Sequence, residues 1–303
     1  MNLHHLLYFK TIAELENFTR ASEQLNVTQP NLSHAVRDLE EELEVKLFER
    51  QGRSVRLTRY GEIWLEYVDQ ALDSLDMGKR ILNEYTHPQK GTVRLSYLSS
   101  LNQYVPWLTM KFYQSTEQIE TKFEMSQYPT SKIEREILDG KADLGISSVV
   151  DLPSISSFYL GNHGTVLVVA ENHPWAERRS VALKELDGVP LVTYTQECGI
   201  RKYIDGLLEG VEGGCQPQIV SEVMYDNLIL GIVASGFGVG LIPKPLGYRP
   251  ERVKILDISD SIPGRNLYMI WSNTHYMSPA TERFRDFVME RALFLDRYIK
   301  EES

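Results

Sequence analysis

The periodicity of apolar residues changes once along this 303-residue chain, at Thr86–Gly91, THPQKG. Before that point, apolar side chains recur at spacings of three and four, as in helices that bury one stripe. Beyond it, short runs such as TVRLSYLS, ADLGISSV, TVLVVAE, PLVTYT and VGLIP alternate with helical segments. Such βαβ alternation predicts mainly parallel sheets covered by helices. Pro88 and Gly91 break the helical pattern and mark the boundary. The chain therefore divides into a helical N-terminal part and an α/β part of about 210 residues, enough for two lobes.

Within the first part, LHHLLYFKTIAEL places Leu6, Phe9, Ile12 and Ala13 at helical spacing. A second short helix is expected after Thr19 as N-cap and ends at Asn26. Thr28 then caps a third helix with Pro30 in its first turn, where a missing N–H costs nothing. Leu32, Val36, Leu39 and Leu43 form its apolar stripe, opposite Pro30, Ser33, His34 and Arg37. Two helices joined by a tight turn, the second with a polar N-terminal half, match a helix-turn-helix. RQGRSVRLT reads as a small hairpin, or wing, turning at Gly52, with its arginines outward. Thr58 caps a long helix to Tyr85, on the order of 40 Å. Its stripe of Ile63, Tyr67, Val68, Leu72, Leu75 and Leu82 is expected to pair with a partner helix as a dimerisation seam.

A formal net charge of −10 argues against nucleic acid in aggregate, but charge acts by patch. Lys46, Arg50, Arg53, Arg56 and Arg59 face only Glu49, a local basic strip. A helix-turn-helix lays the N-terminal end of its second helix in the major groove. Gln29, Asn31, Ser33, His34 and Arg37 can hydrogen-bond base edges or phosphates there, while Arg50, Arg53 and Arg56 neutralise phosphates from the wing. The acidic run Glu40–Glu42 is expected to point away from the duplex and mark the edge of the DNA face.

The segment NFTRASEQLNVTQPNLSHAVRDLEEELEVKLFERQGRSVRLTRYGE resembles the winged helix-turn-helix signature of LysR-type transcriptional regulators. The Thr19 cap, the TQP opening, Ser33, the LEEEL and LFER blocks and LT..G carry the resemblance, which extends through the long helix to GTVRLSYLSS. Glu44 departs from the pattern, standing where the family usually has glycine. The resemblance implies a winged helix-turn-helix over 1–58, a linker helix over 59–85, a hinge at 86–91 and an α/β, two-lobed, periplasmic-binding-protein-like effector domain over 92–303. Lobe I would comprise about 92–161 and 267–303, and lobe II about 162–266. It further implies a homodimer or homotetramer on double-stranded promoter DNA, a small-molecule effector between the lobes and a contact with RNA polymerase. The DNA contacts carried over are Gln29, Pro30, Ser33 and His34, with Arg53 on the wing.

In open α/β sheets, ligands sit at the carboxyl ends of strands, where helix N-termini offer N–H groups to anions. Ser99, Ser100 and Asn102 follow the first strand of the α/β part and open a helix; Tyr128, Thr130 and Ser131 do the same after the second; Thr195 and Gln196 end a strand in the other lobe. These eight residues are the expected effector site, for a small anion or carboxylate. Gly236–Gly240, GFGVG, follows a helix and precedes a strand, the reverse of a dinucleotide fingerprint. No metalloprotease, Walker, nucleophile-elbow or zinc-cysteine spacing occurs, so neither catalysis nor a cofactor nor a metal is expected. No run approaches the roughly 18 to 20 apolar residues of a membrane span, and charges interrupt the N-terminus where a secretory segment would be apolar, so a cytoplasmic protein is expected. Two other readings remain. A free-standing solute-binding protein would need a signal sequence and leave residues 1–85 idle. A redox sensor is suggested because a peroxide-sensing branch of the resembled family uses two cysteines in the second lobe, where Cys198 and Cys215 lie.

Overall fold

Three short helices open the chain: α1 (Leu3–Leu15), α2 (Phe18–Leu25) and α3 (Gln29–Leu43). The computed structural model describes all residues except 52–53, 87–89, 116–119, 149–150, 247–249, 292 and 303. It separates into two units, Met1–Asn83 and Glu84–Ser303.

The cap of α2 is Asn17, not Thr19: its Oδ1 accepts from Thr19 N at 2.9 Å and Arg20 N at 3.0 Å. One side-chain oxygen thus serves two N–H groups that the helix leaves unpaired, and Thr19 falls inside the first turn. Thr28 caps α3 as expected. All three helices stop on a left-handed residue, Glu16, Asn26 and Glu44, with φ of 49°, 52° and 55°. Glu44 therefore adopts the conformation that glycine takes without strain, and its N–H donates to the carbonyls of Glu40 and Glu41.

Leu32, Val36 and Leu39 are buried as the stripe requires. Leu32 and Val36 pack with Ile12 and Ala21, and Leu39 with Phe9, Leu47 and Val68. The wing is β1 (Phe48–Gln51) and β2 (Ser54–Leu57), antiparallel, with Phe48 opposite Leu57, Glu49 opposite Arg56 and Arg50 opposite Val55. Directly opposed residues share a face. Arg50 therefore lies on the face of Phe48, Val55 and Leu57, whereas Arg56 lies on the other beside Glu49, so the wing arginines do not form one outward row. Arg53 falls outside the described residues.

Helix α4 (Arg59–Thr86) starts at Thr58, whose Oγ1 accepts from Gly61 N at 3.1 Å and donates to Lys46 O at 2.6 Å. Gly61 gives the LT..G pattern a physical reason: a Cβ there would stand 2.2 Å from the Leu47 carbonyl oxygen. Val68 is only 1% exposed, and Leu72 packs beside it with Trp64 and Leu65. Both were expected in the dimerisation seam, but the first turns of α4 instead close the core of their own unit. Ile63, Tyr67, Leu75 and Leu82 remain exposed.

The second unit follows as β3 (Lys90–Tyr97), α5 (Tyr104–Ser115), β4 (Glu120–Gln127), α6 (Thr130–Leu138), β5 (Leu144–Ser147), β6 (Ile155–His163), β7 (Thr165–Ala170), β8 (Ser180–Val181), β9 (Pro190–Tyr194), α7 (Gly199–Glu209), β10 (Gln218–Val223), α8 (Asp226–Ala234), β11 (Val239–Pro243), β12 (Val253–Ile258), β13 (Arg265–Ser272), α9 (Pro279–Glu290) and α10 (Leu295–Glu302). They build a five-stranded sheet, β4-β3-β5-β13-β6, and a six-stranded sheet, β10-β9-β11-β7-β12-β8. Both are mixed rather than mainly parallel: β13 runs antiparallel to β5 and β6, and β7 antiparallel to β11 and β12. The chain leaves the first lobe between His163 and Thr165 and returns between Ile258 and Arg265. Each sheet has its own apolar core, one around Leu95, Leu144, Ile270 and Phe284, the other around Leu167, Val192, Ile204 and Leu241. The chain closes with two separate helices, α9 and α10. Among the described residues no helix is long and apolar enough to cross a membrane.

Candidate DNA surface and effector cleft

In the first unit, the N-terminal half of α3 presents Gln29, Pro30, Asn31, His34 and Arg37 exposed and Ser33 half-buried. Gln29, Ser33 and Arg37 line a cleft of about 540 Å³ together with Arg50 of the wing. Pro30, Asn31, His34 and Arg56 lie outside its lining; His34 Nδ1 is 3.1 Å from Asp38 Oδ1 and Arg56 Nε is 3.9 Å from Glu16 Oε1. Arg37 and Arg50 have no ion-pair partner among the described residues, which leaves their charge for phosphates. The start of α2 also lines the cleft, through Asn17, Phe18 and Thr19, which the sequence reading did not place on the DNA face.

Glu40 corrects the reading of the acidic run. It does not point into solvent with Glu41 and Glu42: it is 8% exposed. Its Oε1 accepts from Leu47 N at 2.8 Å and Phe48 N at 3.3 Å, and its Oε2 takes Lys46 Nζ at 2.6 Å. Buried backbone N–H groups need acceptors, and this carboxylate supplies one for the chain entering the wing. The signal was present in the spacing, because Glu40 follows Val36 by four residues on the buried flank. Lys46 remains exposed on the wall of the cleft, but its charge is paired with Glu40.

In the second unit, two connected groups of residues line a cleft between the lobes. An outer chamber of about 320 Å³ is lined by Ser99, Ser100 and Asn102 of the first lobe and by Tyr225, Asp226 and Asn227 of the second. An inner chamber of about 30 Å³ is lined by Ser99, Ser100, Tyr128, Thr130, Tyr194, Cys198, Asp226 and Arg265, among others. Five of the expected effector residues, Ser99, Ser100, Asn102, Tyr128 and Thr130, thus meet at the cleft, whereas Ser131, Thr195 and Gln196 line neither chamber. Thr195 Oγ1 instead stands 3.5 Å from Cys198 Sγ. Ser99 and Ser100 sit in a single 3-10 turn, Ser99–Leu101, rather than at the start of α5. The helix starts that do reach the inner chamber are those of α6, α7 and α8, at Thr130, Gly199 and Asp226.

Two charged residues of this cleft escaped the sequence reading. Asp226 accepts from Tyr194 Oη on Oδ1 and from Ser99 Oγ on Oδ2, the latter at 3.3 Å and across the two lobes. Burial raises its pKa, against the pull of those hydrogen bonds and of Arg265. Arg265 opens β13, and burial lowers its pKa. Its guanidinium lies 6.0 Å from the Tyr203 ring centroid and has no hydrogen-bond or ion-pair partner among the described residues. At the lobe crossing, opposite Arg265 in the sheet, His163 donates through Nε2 to Lys244 O at 2.8 Å.

Residues 3–62 match the family model of the bacterial regulatory helix-turn-helix protein, lysR family, and residues 86–293 match that of the LysR substrate binding domain. The chain belongs to the LysR family of transcriptional regulators. This LysR-family chain is 30% identical over 302 residues to the Hca operon transcriptional activator HcaR of Escherichia coli, covering 96% of this chain and 98% of that one. Its fold matches full-length CbnR complexed with its target DNA, with a TM-score of 0.79 at 20% identity over 96% and 100% of the two chains. The effector-binding domain of QuiR in complex with shikimate matches at 30% identity and a TM-score of 0.61, covering 70% of this chain and 98% of that domain. This LysR-family protein is a DNA-binding transcriptional regulator, not an enzyme. Its two thiols are buried and separately engaged: Cys198 donates to Met224 O at 3.7 Å and Cys215 to Leu183 O at 3.1 Å. Burial also raises the Cys215 pKa, which works against thiolate chemistry.

Proposed function

We propose that this regulator acts in the cytoplasm as a homo-oligomer that reads promoter DNA with α3 and the wing, and that a small carboxylate bound between its lobes modulates that binding and the response of RNA polymerase. The division proposed is 1–58 for DNA, 59–85 for dimerisation and 92–303 for the effector. The observation that carries the effector reading is Arg265, a cation without a partner among the described residues at the wall of a chamber that three helix starts also reach. Helix N-termini and a guanidinium together favour an anion. The shikimate bound by QuiR, itself a carboxylate, supports the same class. For the oligomer, the exposed Ile63, Tyr67, Leu75 and Leu82 on α4 support pairing with a second copy.

The test is thermal unfolding of the full-length protein with shikimate, benzoate and acetate, and with their neutral amides. A carboxylate that raises the midpoint and shifts the affinity for a selected DNA site supports the proposal. Stabilisation by the amides as strong as by the acids would overturn it. Replacing both cysteines should leave DNA binding unresponsive to peroxide, as in the parent protein; a peroxide response that disappears with the thiols would instead establish redox sensing.

A further inference from the structure

We propose that the effector carries, besides its carboxylate, a hydroxyl or amino hydrogen-bond donor, and that Asp226 selects for it; this rests on the carboxylate reading above. Asp226 and Arg265 line the same inner chamber, which at about 30 Å³ has room for roughly two waters or one carboxylate group. A ligand carboxylate drawn to Arg265 must therefore sit beside a second, buried carboxylate. Asp226 also lines the outer chamber, so a ligand that extends from one chamber into the other passes it.

Each Asp226 oxygen holds one donor, Tyr194 on Oδ1 and Ser99 on Oδ2. An ionised carboxylate has about four acceptor positions, so capacity remains on the cleft side. Arg265 stands outside ion-pair distance of Asp226, and burial already opposes the acid's charge. A ligand bearing only hydrocarbon around its carboxylate leaves that capacity unmet and brings two like charges together. One that lays a hydroxyl or ammonium on Asp226 relieves both. Sites built around such an acceptor discriminate strongly against analogues that lack the donor. The outer chamber combines the amides of Asn102, Gln127 and Asn227 with apolar Ile242, Pro243 and Pro245.

Calorimetric titration of the full-length protein with matched probes tests this: lactate and alanine against propionate, and quinate against cyclohexanecarboxylate. In the parent protein at least one donor-bearing probe should bind about tenfold or more tightly than its unsubstituted partner. Asp226→Asn, which keeps the shape, should bring that ratio close to one, while Arg265→Gln should weaken every carboxylate. Equal affinity within each set, or a ratio unchanged in Asp226→Asn, overturns the role of Asp226 and leaves the carboxylate effector standing. No binding of any probe at millimolar concentration overturns both readings. The ratio in the parent protein decides the case even if a variant fails to fold.

Discussion

Ser99 Oγ donates to Asp226 Oδ2 at 3.3 Å, and the two residues belong to different lobes of the regulatory unit. Ser99 follows β3 of the five-stranded sheet; Asp226 opens α8, which covers the six-stranded one. A ligand donor that reaches Asp226 from the outer chamber shares the carboxylate with this bond, so the two are coupled. Ser99→Ala should cost about 1 kcal/mol of stability in denaturant unfolding and shift the carboxylate concentration needed to alter DNA affinity. An unchanged midpoint together with an unchanged effector response would show that the bond does not couple the lobes.

Glu40 should behave as a structural residue of the DNA-binding unit. Glu40→Ala leaves the Leu47 and Phe48 N–H groups without their acceptor, at a cost of about 1–3 kcal/mol each where buried. Glu40→Gln keeps an acceptor oxygen and should lose much less. Chemical unfolding of the two variants checks the difference; equal and small effects would place Glu40 on the surface after all.

Glu44 occupies a left-handed position that glycine takes without strain. Glu44→Gly should stabilise the protein by roughly 0.5–1 kcal/mol, because the relief at this cap exceeds the added freedom of the unfolded chain. A lower unfolding midpoint would contradict the assignment.

His163 predicts an acid-sensitive regulatory unit. Burial lowers its pKa from the ordinary 6.5 to about 4, so the neutral ring is the folded form. As pH falls below 6.5, the unfolded chain takes up a proton that the folded chain refuses. Its contribution is constant above that pH, falls by up to about 3 kcal/mol towards pH 4, and levels off below. His163→Gln should flatten this part of the stability curve; an unaltered slope between pH 6.5 and 4.5 would show that other groups produce it.

What the sequence disclosed, and what it hid, follows from the range of the interactions. Leu32, Val36 and Leu39 were legible because a helix repeats every 3.6 residues and buries what lies on one side. The cap at Asn17 was missed because Asn and Thr are both good caps and only the hydrogen bonds to Thr19 N and Arg20 N decide between them. Glu40 was read by its charge among Glu41 and Glu42, although its place beside Val36 carried the contrary signal. Strands β6 and β12 went unread, being partly exposed along ISSFYLGNH and VKILDI. Asp226 and Arg265 were invisible for a different reason. Neither belongs to a local motif, and the return of the chain through β13 brings Arg265 to the chamber that Ser99 and Thr130 enter from far upstream.

Sequence-specific, salt-dependent DNA binding through α3 is the central property expected of this protein. The decisive measurement is a fluorescence anisotropy titration of full-length protein with a DNA site selected from a random pool, and with an unrelated duplex, at several salt concentrations. Affinity should fall steeply with salt as counterions are released. Arg50→Ala should weaken binding to both duplexes, whereas Ser33→Ala should erode the preference for the selected site by roughly 1–3 kcal/mol. Affinity indifferent to salt, or equal loss on both duplexes for every α3 variant, would contradict the assignment of α3 as the reading helix.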